Sequence, residues 1–97
     1  MSDTNEKNIL KYKFDKYISK VKKLESVSDS DKLYLYANYK QALFGNNNNN
    51  EKPSLLDRVS MEKWKAWNNL KDLSSESAMK NYISKVKDLY KNVKEEL

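Results

Sequence analysis

Apolar side chains recur at intervals of three and four residues in four stretches of the chain, the spacing of amphipathic α-helices. The first predicted helix runs from about Glu6 to Leu24, and the polar residues before Phe14 are expected to fray. Its apolar stripe consists of Phe14, Tyr17, Ile18, Val21 and Leu24.

The second predicted helix reaches about Phe44. Ser28, Asp29 and Ser30 supply side-chain oxygens that can cap free N–H groups at its start. Gly45 is placed to end it, because glycine readily adopts the left-handed conformation that is common after a helix.

Two more helices are predicted in the second half of the chain. Ser60 is expected to cap a third helix through about Lys71, and Ser74 a fourth helix to about Glu95. The apolar stripe of the fourth consists of Ala78, Tyr82, Val86, Leu89 and Val93.

Four amphipathic helices without a strand pattern predict an all-α bundle. We expect one domain over residues 1–97, with a core from about 14 to 95 and a polar N-terminal extension over 1–13. The run Asn46–Asn50 falls in an asparagine-rich loop, 46–52, and is expected to be a flexible insertion without a function of its own.

Composition restricts the chemistry that the chain can perform. The absence of cysteine and histidine excludes disulfides, thiolate nucleophiles, the usual zinc ligand sets and the Ser-His and Cys-His catalytic pairs. One glycine and one proline leave no room for a Walker loop or a dinucleotide fingerprint. A carboxylate pair stays open, although the acids are scattered. We therefore expect no catalytic residue, metal or cofactor.

The net charge of +5 favours an anionic partner, which could be nucleic acid, membrane phosphates or a phosphorylated small molecule. The polar start of the chain, Met1 to Asn8, lacks the apolar core of a secretory signal, and no apolar run approaches membrane-spanning length. These features predict a cytoplasmic location and no stable membrane insertion.

Lys40 lies at the border of an otherwise apolar face of the second helix, on the same arc as Leu33 and Tyr36. One interpretation is a lysine that packs its stem on the core and reaches water. The other is an ammonium group that meets a half-buried anion, beside a tyrosine ring able to stack on a base.

Aromatic residues in the last two predicted helices can likewise be interpreted either as core residues or as ligand-binding residues. Trp64 and Trp67 are either core residues or a ligand platform, and Lys63 beside them is either solvated or anion-binding. Tyr82 lies within the fourth apolar stripe and is either a core aromatic or a site residue.

Four motifs in order make the chain resemble acyl-CoA-binding proteins. Leu-Tyr-Ala-Asn-Tyr-Lys-Gln-Ala at 35–42 is similar to the family signature. Lys-Pro-Ser-Leu-Leu-Asp at 52–57, Lys-Trp-Lys-Ala-Trp-Asn at 63–68 and Ala-Met-Lys-Asn-Tyr-Ile at 78–83 follow it with compatible spacing. Phe14-Asp15-Lys16 resembles the family's opening helix, so the likeness covers about Phe14 to Leu89.

The resemblance implies an up-down-down-up four-helix bundle with a bowl-shaped site for one medium- or long-chain fatty acyl-CoA. It further implies a monomeric, non-catalytic intracellular carrier and pool former in lipid metabolism.

By the same resemblance, Lys40 and Lys63 meet the phosphates of the CoA head, chiefly the ribose 3′-phosphate, and Tyr82 completes the adenine and phosphate pocket. Of the tryptophan pair, one member borders the site and one lies in the core. The implied binding residues are Lys22, Tyr36, Tyr39, Lys40, Lys63 and Tyr82. Possible additional contacts are Tyr17, Ile18, Leu33, Ala37, Asn38 and Arg58.

The chain departs from the family pattern at several positions. Val59 and Met61 replace two frequent lysines, so phosphate affinity is expected to be lower, or to be supplied by Arg58 or Lys52. Tyr17 replaces a usually small residue and would narrow the acyl path if it faced the bowl. Residues that are commonly glycine are replaced by Ser54, Ser60 and Asp72.

Two other classes compete with the carrier. A nucleic-acid-binding module would need lysine and arginine clustered on one face, whereas the lysines here are spread over all helices and interleaved with acids. A protein-interaction or membrane-surface bundle would need an exposed apolar face beyond the core stripes. The ordered motifs favour the carrier.

Overall fold

The computed structural model describes residues 2–48 and 52–96, with side chains described over 5–48 and 52–92. It contains four helices: α1 (Ser2–Val21), α2 (Asp29–Phe44), α3 (Arg58–Asn68) and α4 (Ser75–Glu96). No strand occurs in this part of the chain, which confirms the predicted all-α class. Asn49, Asn50 and the side chain of Val93, placed by the sequence in the loop and in the fourth stripe, lie outside the described residues.

The core lies where α4 packs against both α1 and α2, while α3 packs against α2. Phe14 is fully buried, and its ring meets Tyr82 edge-on with 5.2 Å between the centroids. The other buried members of this cluster are Leu35, Ala42, Ala78, Ile83 and Val86. The described members of the two predicted stripes lie in or against this core, except Leu24, which follows the end of α1.

A polar pair is enclosed where α2 meets α4. The side-chain oxygen of the fully buried Asn38 accepts a 3.1 Å hydrogen bond from the Asn81 amide, and its amide donates to the Tyr34 carbonyl at 2.9 Å. Nearby, the Ser75 hydroxyl donates to the Ala42 carbonyl at 2.6 Å. Because a buried amide without partners is costly, the two bonds that cross between α2 and α4, Asn81 to Asn38 and Ser75 to Ala42, fix how these helices align.

The first helix begins earlier and ends earlier than the sequence predicts. Its first turns are helical rather than frayed. Leu10 packs against the core, and the exposed side chains of Lys11 and Asp15 form a 2.8 Å ion pair. Its regular part ends at Val21, and the chain continues through turns in which the N–H of Leu24 bonds to the Val21 carbonyl at 3.2 Å.

Two predicted N-caps are confirmed and one is wrong. Ser28 accepts a hydrogen bond from the Asp31 N–H at 3.2 Å, and Ser74 accepts one from the Ser77 N–H at 3.1 Å. At α3 the cap is Asp57, whose Oδ1 accepts from the Ser60 N–H at 3.1 Å. Ser60 therefore supplies the capped N–H, and α3 starts and stops earlier than expected.

The C-terminus of α2 is closed as predicted by Gly45. Its N–H bonds to the Gln41 carbonyl at 3.0 Å, and its backbone takes φ 73° and ψ −149°, a region that is essentially restricted to glycine. Its carbonyl accepts a 2.9 Å hydrogen bond from the Trp67 indole. The end of α2 is thereby joined to α3.

The start of the asparagine run is built into the fold, which corrects the expectation of a loop insertion without a role. The side-chain oxygen of Asn46 accepts hydrogen bonds from the Asp72 N–H at 2.7 Å and from the Gln41 amide at 2.9 Å. The Asn47 amide donates to the Trp64 carbonyl at 3.4 Å. These two asparagines connect the loop after α2 to α3 and to the turn between α3 and α4.

Candidate functional site

An open cleft of about 440 Å³ lies beside the core, between the end of α1, α2 and α4. Four of the six principal residues predicted for the site line it: Lys22, Tyr36, Tyr39 and Tyr82. Its further lining residues are Val21, Leu24, Glu25, Val27, Lys32 and Leu35. The cleft thus combines apolar walls with two lysines and three tyrosines, as a ligand with polar and apolar parts requires.

The two remaining predicted lysines meet over a wall of this cleft. The Lys40 ammonium lies 5.8 Å from the centroid of the Tyr36 ring, and the Lys63 ammonium lies 5.3 Å from it. One lysine comes from α2 and the other from α3, so the packing of these helices brings two cations to one aromatic ring. Both distances fall within the range of cation–π attraction.

Lys40 is also held by a second set of rings. Its ammonium lies 4.8 Å from the Phe44 centroid and 5.6 Å from the Trp67 ring. These residues line a neighbouring cleft of about 400 Å³ together with Asn46, Asn47 and Asn48. Lys40 therefore stands between the two clefts as a half-buried residue whose ammonium group lies close to three aromatic rings.

Tyr82 belongs to both the core and the cleft. Burial raises the pKa of its hydroxyl above the ordinary value, and the neighbouring Tyr39 contributes in the same direction. The phenol therefore stays neutral at physiological pH and is available as a hydrogen-bond donor. Both interpretations of Tyr82 that the sequence left open are thus compatible with its position.

The additional predicted contacts are not brought to the cleft. Ala37 is buried, Asn38 is buried where α2 meets α4, and Ile18 and Leu33 are half-buried outside the cleft lining. Arg58 is exposed and pairs with Glu62 at 3.4 Å. The contacts of Asn38 give it a role in helix packing.

Tyr17 does not line the Tyr36 cleft, so its side chain does not narrow a path for an acyl chain there. It lines two clefts between α1 and α4, and the ammonium groups of Lys20 and Lys87 lie 5.0 Å and 5.9 Å from its ring. The larger Tyr17 side chain is therefore accommodated away from the Tyr36 cleft.

Val59 and Met61, which stand where the family resemblance predicted lysines, lie in different environments. Val59 is exposed, whereas Met61 is buried as a core residue of α3. Lys52, proposed by the sequence as a substitute cation, lies 5.7 Å from the Trp64 ring. Because Lys40 lies near Trp67, the two cations flank the tryptophan pair.

Sequence reasoning missed several residues of the two clefts. Lys32 and Phe44 were not singled out, although each lies four residues from a member of the site, Tyr36 and Lys40 respectively. That i, i+4 spacing on one helix face was a usable signal. Val27 gave no such signal, because it lies in the connection between α1 and α2, where periodicity does not apply.

Within the described residues, no cluster of acidic, histidine or cysteine side chains is arranged to hold a metal ion. Nor is any helix in the described part of the chain both long and apolar enough to cross a bilayer.

The sequence model of the acyl-CoA-binding protein family matches residues 11–86. The chain is 46% identical over 77 residues to acyl-CoA-binding domain-containing protein 3 of Oryza sativa subsp. japonica, covering 78% of this chain and 49% of the relative. It is 37% identical over 89 residues to the acyl-CoA-binding domain-containing protein 6 homolog of Dictyostelium discoideum, covering 92% of this chain and 31% of the relative. The chain thus spans about half and about a third of the length of these two relatives.

Solved structures show the same likeness. The crystal structure of Oryza sativa acyl-CoA-binding protein 2 superposes with a TM-score of 0.82 at 36% identity, over 88% of this chain and 92% of that one. The crystal structure of an acyl-CoA-binding protein from Moniliophthora perniciosa superposes with a TM-score of 0.71 at 34% identity, over 77% of this chain and 74% of that one. The bundle is therefore the all-α fold of acyl-CoA-binding proteins. The chain belongs to the acyl-CoA-binding protein family, as its motifs predicted.

Proposed function

We propose that this protein binds medium- and long-chain fatty acyl-CoA esters in the cleft beside Tyr36 and carries them without transforming them. The observation that supports this most strongly is the approach of the Lys40 and Lys63 ammonium groups to the Tyr36 ring, at 5.8 Å and 5.3 Å. Two cations beside one ring suit a ligand that joins several phosphates to an aromatic base.

The CoA head has three phosphates and an adenine, so it requires cations and a stacking surface. Lys40 and Lys63 would contact the phosphates through charge-assisted hydrogen bonds, and Tyr36 would offer its ring to the base. Lys22 is exposed at the rim of the cleft, where it would meet another part of the head. The neutral Tyr82 hydroxyl would donate a hydrogen bond from the cleft wall.

The acyl tail requires apolar surface, which the remainder of the lining supplies. Val21, Leu24, Val27 and Leu35 line the same cleft as Tyr36. Burial of each methylene is worth about 0.8 kcal/mol, so four more carbons contribute about 3 kcal/mol where the cleft covers them. Long-chain esters would then bind much more tightly than free CoA.

A carrier role fits the chemistry of the cleft lining. A thioester is attacked by thiolates and by activated hydroxyl or imidazole groups, and the cleft is lined by none of the cysteine and histidine residues that provide them. The bound ester would therefore survive until release. We propose that the protein buffers and transports acyl-CoA and catalyses no reaction.

Titration calorimetry with palmitoyl-CoA, free CoA and palmitate tests the proposal. We expect tight binding of palmitoyl-CoA, much weaker binding of free CoA and little binding of palmitate. Lys40→Ala should weaken palmitoyl-CoA binding by roughly tenfold, because it removes a charge-assisted contact. Lys65→Ala, at an exposed position of α3 outside both clefts, is the matched control and should leave affinity unchanged.

Three results would each contradict a part of the proposal. Equal affinity for free CoA and palmitoyl-CoA would show that the cleft does not hold the acyl tail. Unchanged affinity in Lys40→Ala, with circular dichroism showing an intact fold, would remove the assignment of the phosphate contact. Hydrolysis of palmitoyl-CoA at a rate proportional to protein concentration would refute the non-catalytic role.

A further inference from the structure

A second charged surface lies on α1 and α4, apart from the proposed ligand cleft. Two adjoining clefts of about 490 Å³ and 280 Å³ share Tyr17 and Lys87. The five lysines that line them are Lys13, Lys16, Lys20, Lys87 and Lys91. We call this surface, together with the neighbouring Ile9, Tyr12 and Tyr90, the α1–α4 face. None of these residues lines the Tyr36 cleft.

Contacts between the two helices hold part of this face in place. The Lys20 ammonium lies 5.0 Å from the Tyr17 ring and 5.7 Å from the Tyr90 ring. The Tyr90 hydroxyl donates a 2.7 Å hydrogen bond to the Lys20 carbonyl, which ties α4 to the end of α1. The Lys87 ammonium of α4 lies 5.9 Å from the Tyr17 ring of α1. The folded protein thus presents lysines from two helices together, although they are far apart in sequence.

Acidic residues border this face where Ile9 and Lys13 also line a third cleft, together with Glu6 and Glu76. No aspartate or glutamate lines either of the two clefts in the described part of the chain. Asp15 pairs with Lys11 at 2.8 Å, and Glu76 pairs with Lys7 at 3.8 Å. The exposed Asp88 follows Lys87 in the sequence but lies outside the cleft linings. A concentrated positive surface therefore remains, and the proposed ligand site does not use it.

Exposed apolar surface lies beside these charges. Ile9 is 56% exposed and Tyr12 is 71% exposed, and both line the larger cleft with Lys13 and Lys16. Free polyanions would be bound by lysines alone and would gain nothing from an exposed isoleucine. A bilayer surface offers phosphates to the lysines and an interface that accommodates isoleucine and tyrosine side chains.

We propose that the α1–α4 face docks peripherally on bilayers that contain anionic phospholipids. The lysines contact lipid phosphates and carboxylates, while Ile9 and Tyr12 enter the headgroup layer without crossing the membrane. Because this face and the Tyr36 cleft share no lining residue, docking leaves the cleft free to exchange ligand. The proposal does not depend on the identity of the cleft's ligand.

Sedimentation with vesicles tests this docking on the full chain. Vesicles of phosphatidylcholine with roughly a third phosphatidylserine should bind the protein, whereas pure phosphatidylcholine should not. Binding should be lost near 1 M salt, where the screening length falls from about 10 Å to about 3 Å. Each lysine is expected to contribute about fivefold, so Lys20→Gln with Lys87→Gln should weaken binding by about 25-fold. Ile9→Ser with Tyr12→Ser should weaken it as well.

The matched control is Lys65→Gln with Lys71→Gln, which removes the same charge from exposed positions outside this face. If the control weakens vesicle binding as much as Lys20→Gln with Lys87→Gln, net charge alone acts and the assigned face is wrong. A second competitor is the turn at Leu55 and Leu56, which are 86% and 97% exposed.

If Leu55→Ser with Leu56→Ser abolishes vesicle binding and Lys20→Gln with Lys87→Gln does not, the membrane contact is made by that turn and the proposal is overturned. Binding of single-stranded oligonucleotides without vesicle binding would identify a nucleic-acid surface instead, with the same effect. Circular dichroism and palmitoyl-CoA titration, both expected to be unchanged in the lysine variant, show that its fold and cleft are intact.

Discussion

The side-chain oxygen of Asn46 accepts a 2.7 Å hydrogen bond from the backbone N–H of Asp72, while the Asn46 amide donates to the Asp72 carboxylate at 3.1 Å. The same Asn46 oxygen accepts from the Gln41 amide, which also donates to the Leu73 carbonyl at 2.9 Å. One side chain thus joins the end of α2 to the turn between α3 and α4. The long connection after α2 is anchored at its first asparagine.

Asn46→Ala should lower the free energy of unfolding by about 1–2 kcal/mol, because it leaves the Gln41 amide and the Asp72 N–H without this acceptor. Chemical denaturation followed by circular dichroism measures the change. Asn48→Ala, at an exposed position of the same run, is the control and should stay within about 0.5 kcal/mol of the parent. Equal effects of the two substitutions would show that Asn46 has no special role.

Asp72 adopts a φ of 72°, in the left-handed region that favours glycine, the residue that the family resemblance led us to expect at this position. Aspartate tolerates the left-handed region better than most residues, and its carboxylate and N–H both bond to Asn46. Asp72→Ala keeps the unfavourable φ and loses the carboxylate contact, whereas Asp72→Gly removes the strain. Asp72→Gly should therefore be more stable than Asp72→Ala by about 1 kcal/mol in thermal unfolding. If alanine were as stable as glycine, backbone strain at this turn would be refuted.

The ring of Tyr36, rather than its hydroxyl, should carry its part in ligand binding. Tyr36→Phe is expected to keep palmitoyl-CoA affinity within about twofold, while Tyr36→Ala should weaken it by roughly tenfold or more through loss of stacking. Tyr34→Ala provides a control on the same helix, because Tyr34 lies beside Lys85 and outside the Tyr36 cleft. Calorimetric titration separates the three variants. A large loss in Tyr36→Phe would assign the contact to the hydroxyl instead.

The start of α3 should weaken in acid. Hydrogen bonds from the side chain and backbone N–H of Ser60, with the charge of Lys63, hold the Asp57 pKa below its ordinary value of 3.8. Since the folded-state pKa is lowered, the stabilisation is fully present above the unfolded-state pKa and is lost as pH falls through the folded one. Asp57→Asn, which caps without titrating, should lose less stability than the parent between neutral pH and about pH 3. Equal pH dependence in denaturant unfolding would contradict this assignment.

Helix content was predictable because each segment carries its own periodic apolar stripe, and local caps at Ser28 and Ser74 mark two of the starts. The α3 start was misplaced, because Asp57 and Ser60 are both good caps and only the backbone course after Pro53 selects between them. The first turns of α1 were expected to fray because most of their residues are polar. Leu10, four residues before Phe14, extends the apolar stripe toward the N-terminus and packs against the core.

The sequence by itself determined the family, the all-α class and the identity of the principal candidate residues, because ordered motifs and helical spacing are properties of the chain alone. Only the tertiary structure decided which cations converge on Tyr36, that Asn38 serves helix packing and that Tyr17 turns toward Lys20 and Lys87. These outcomes depend on how α2 packs against α3 and α4, and on how α1 packs against α4. Contacts between residues far apart in sequence arise from packing geometry, which local periodicity does not encode.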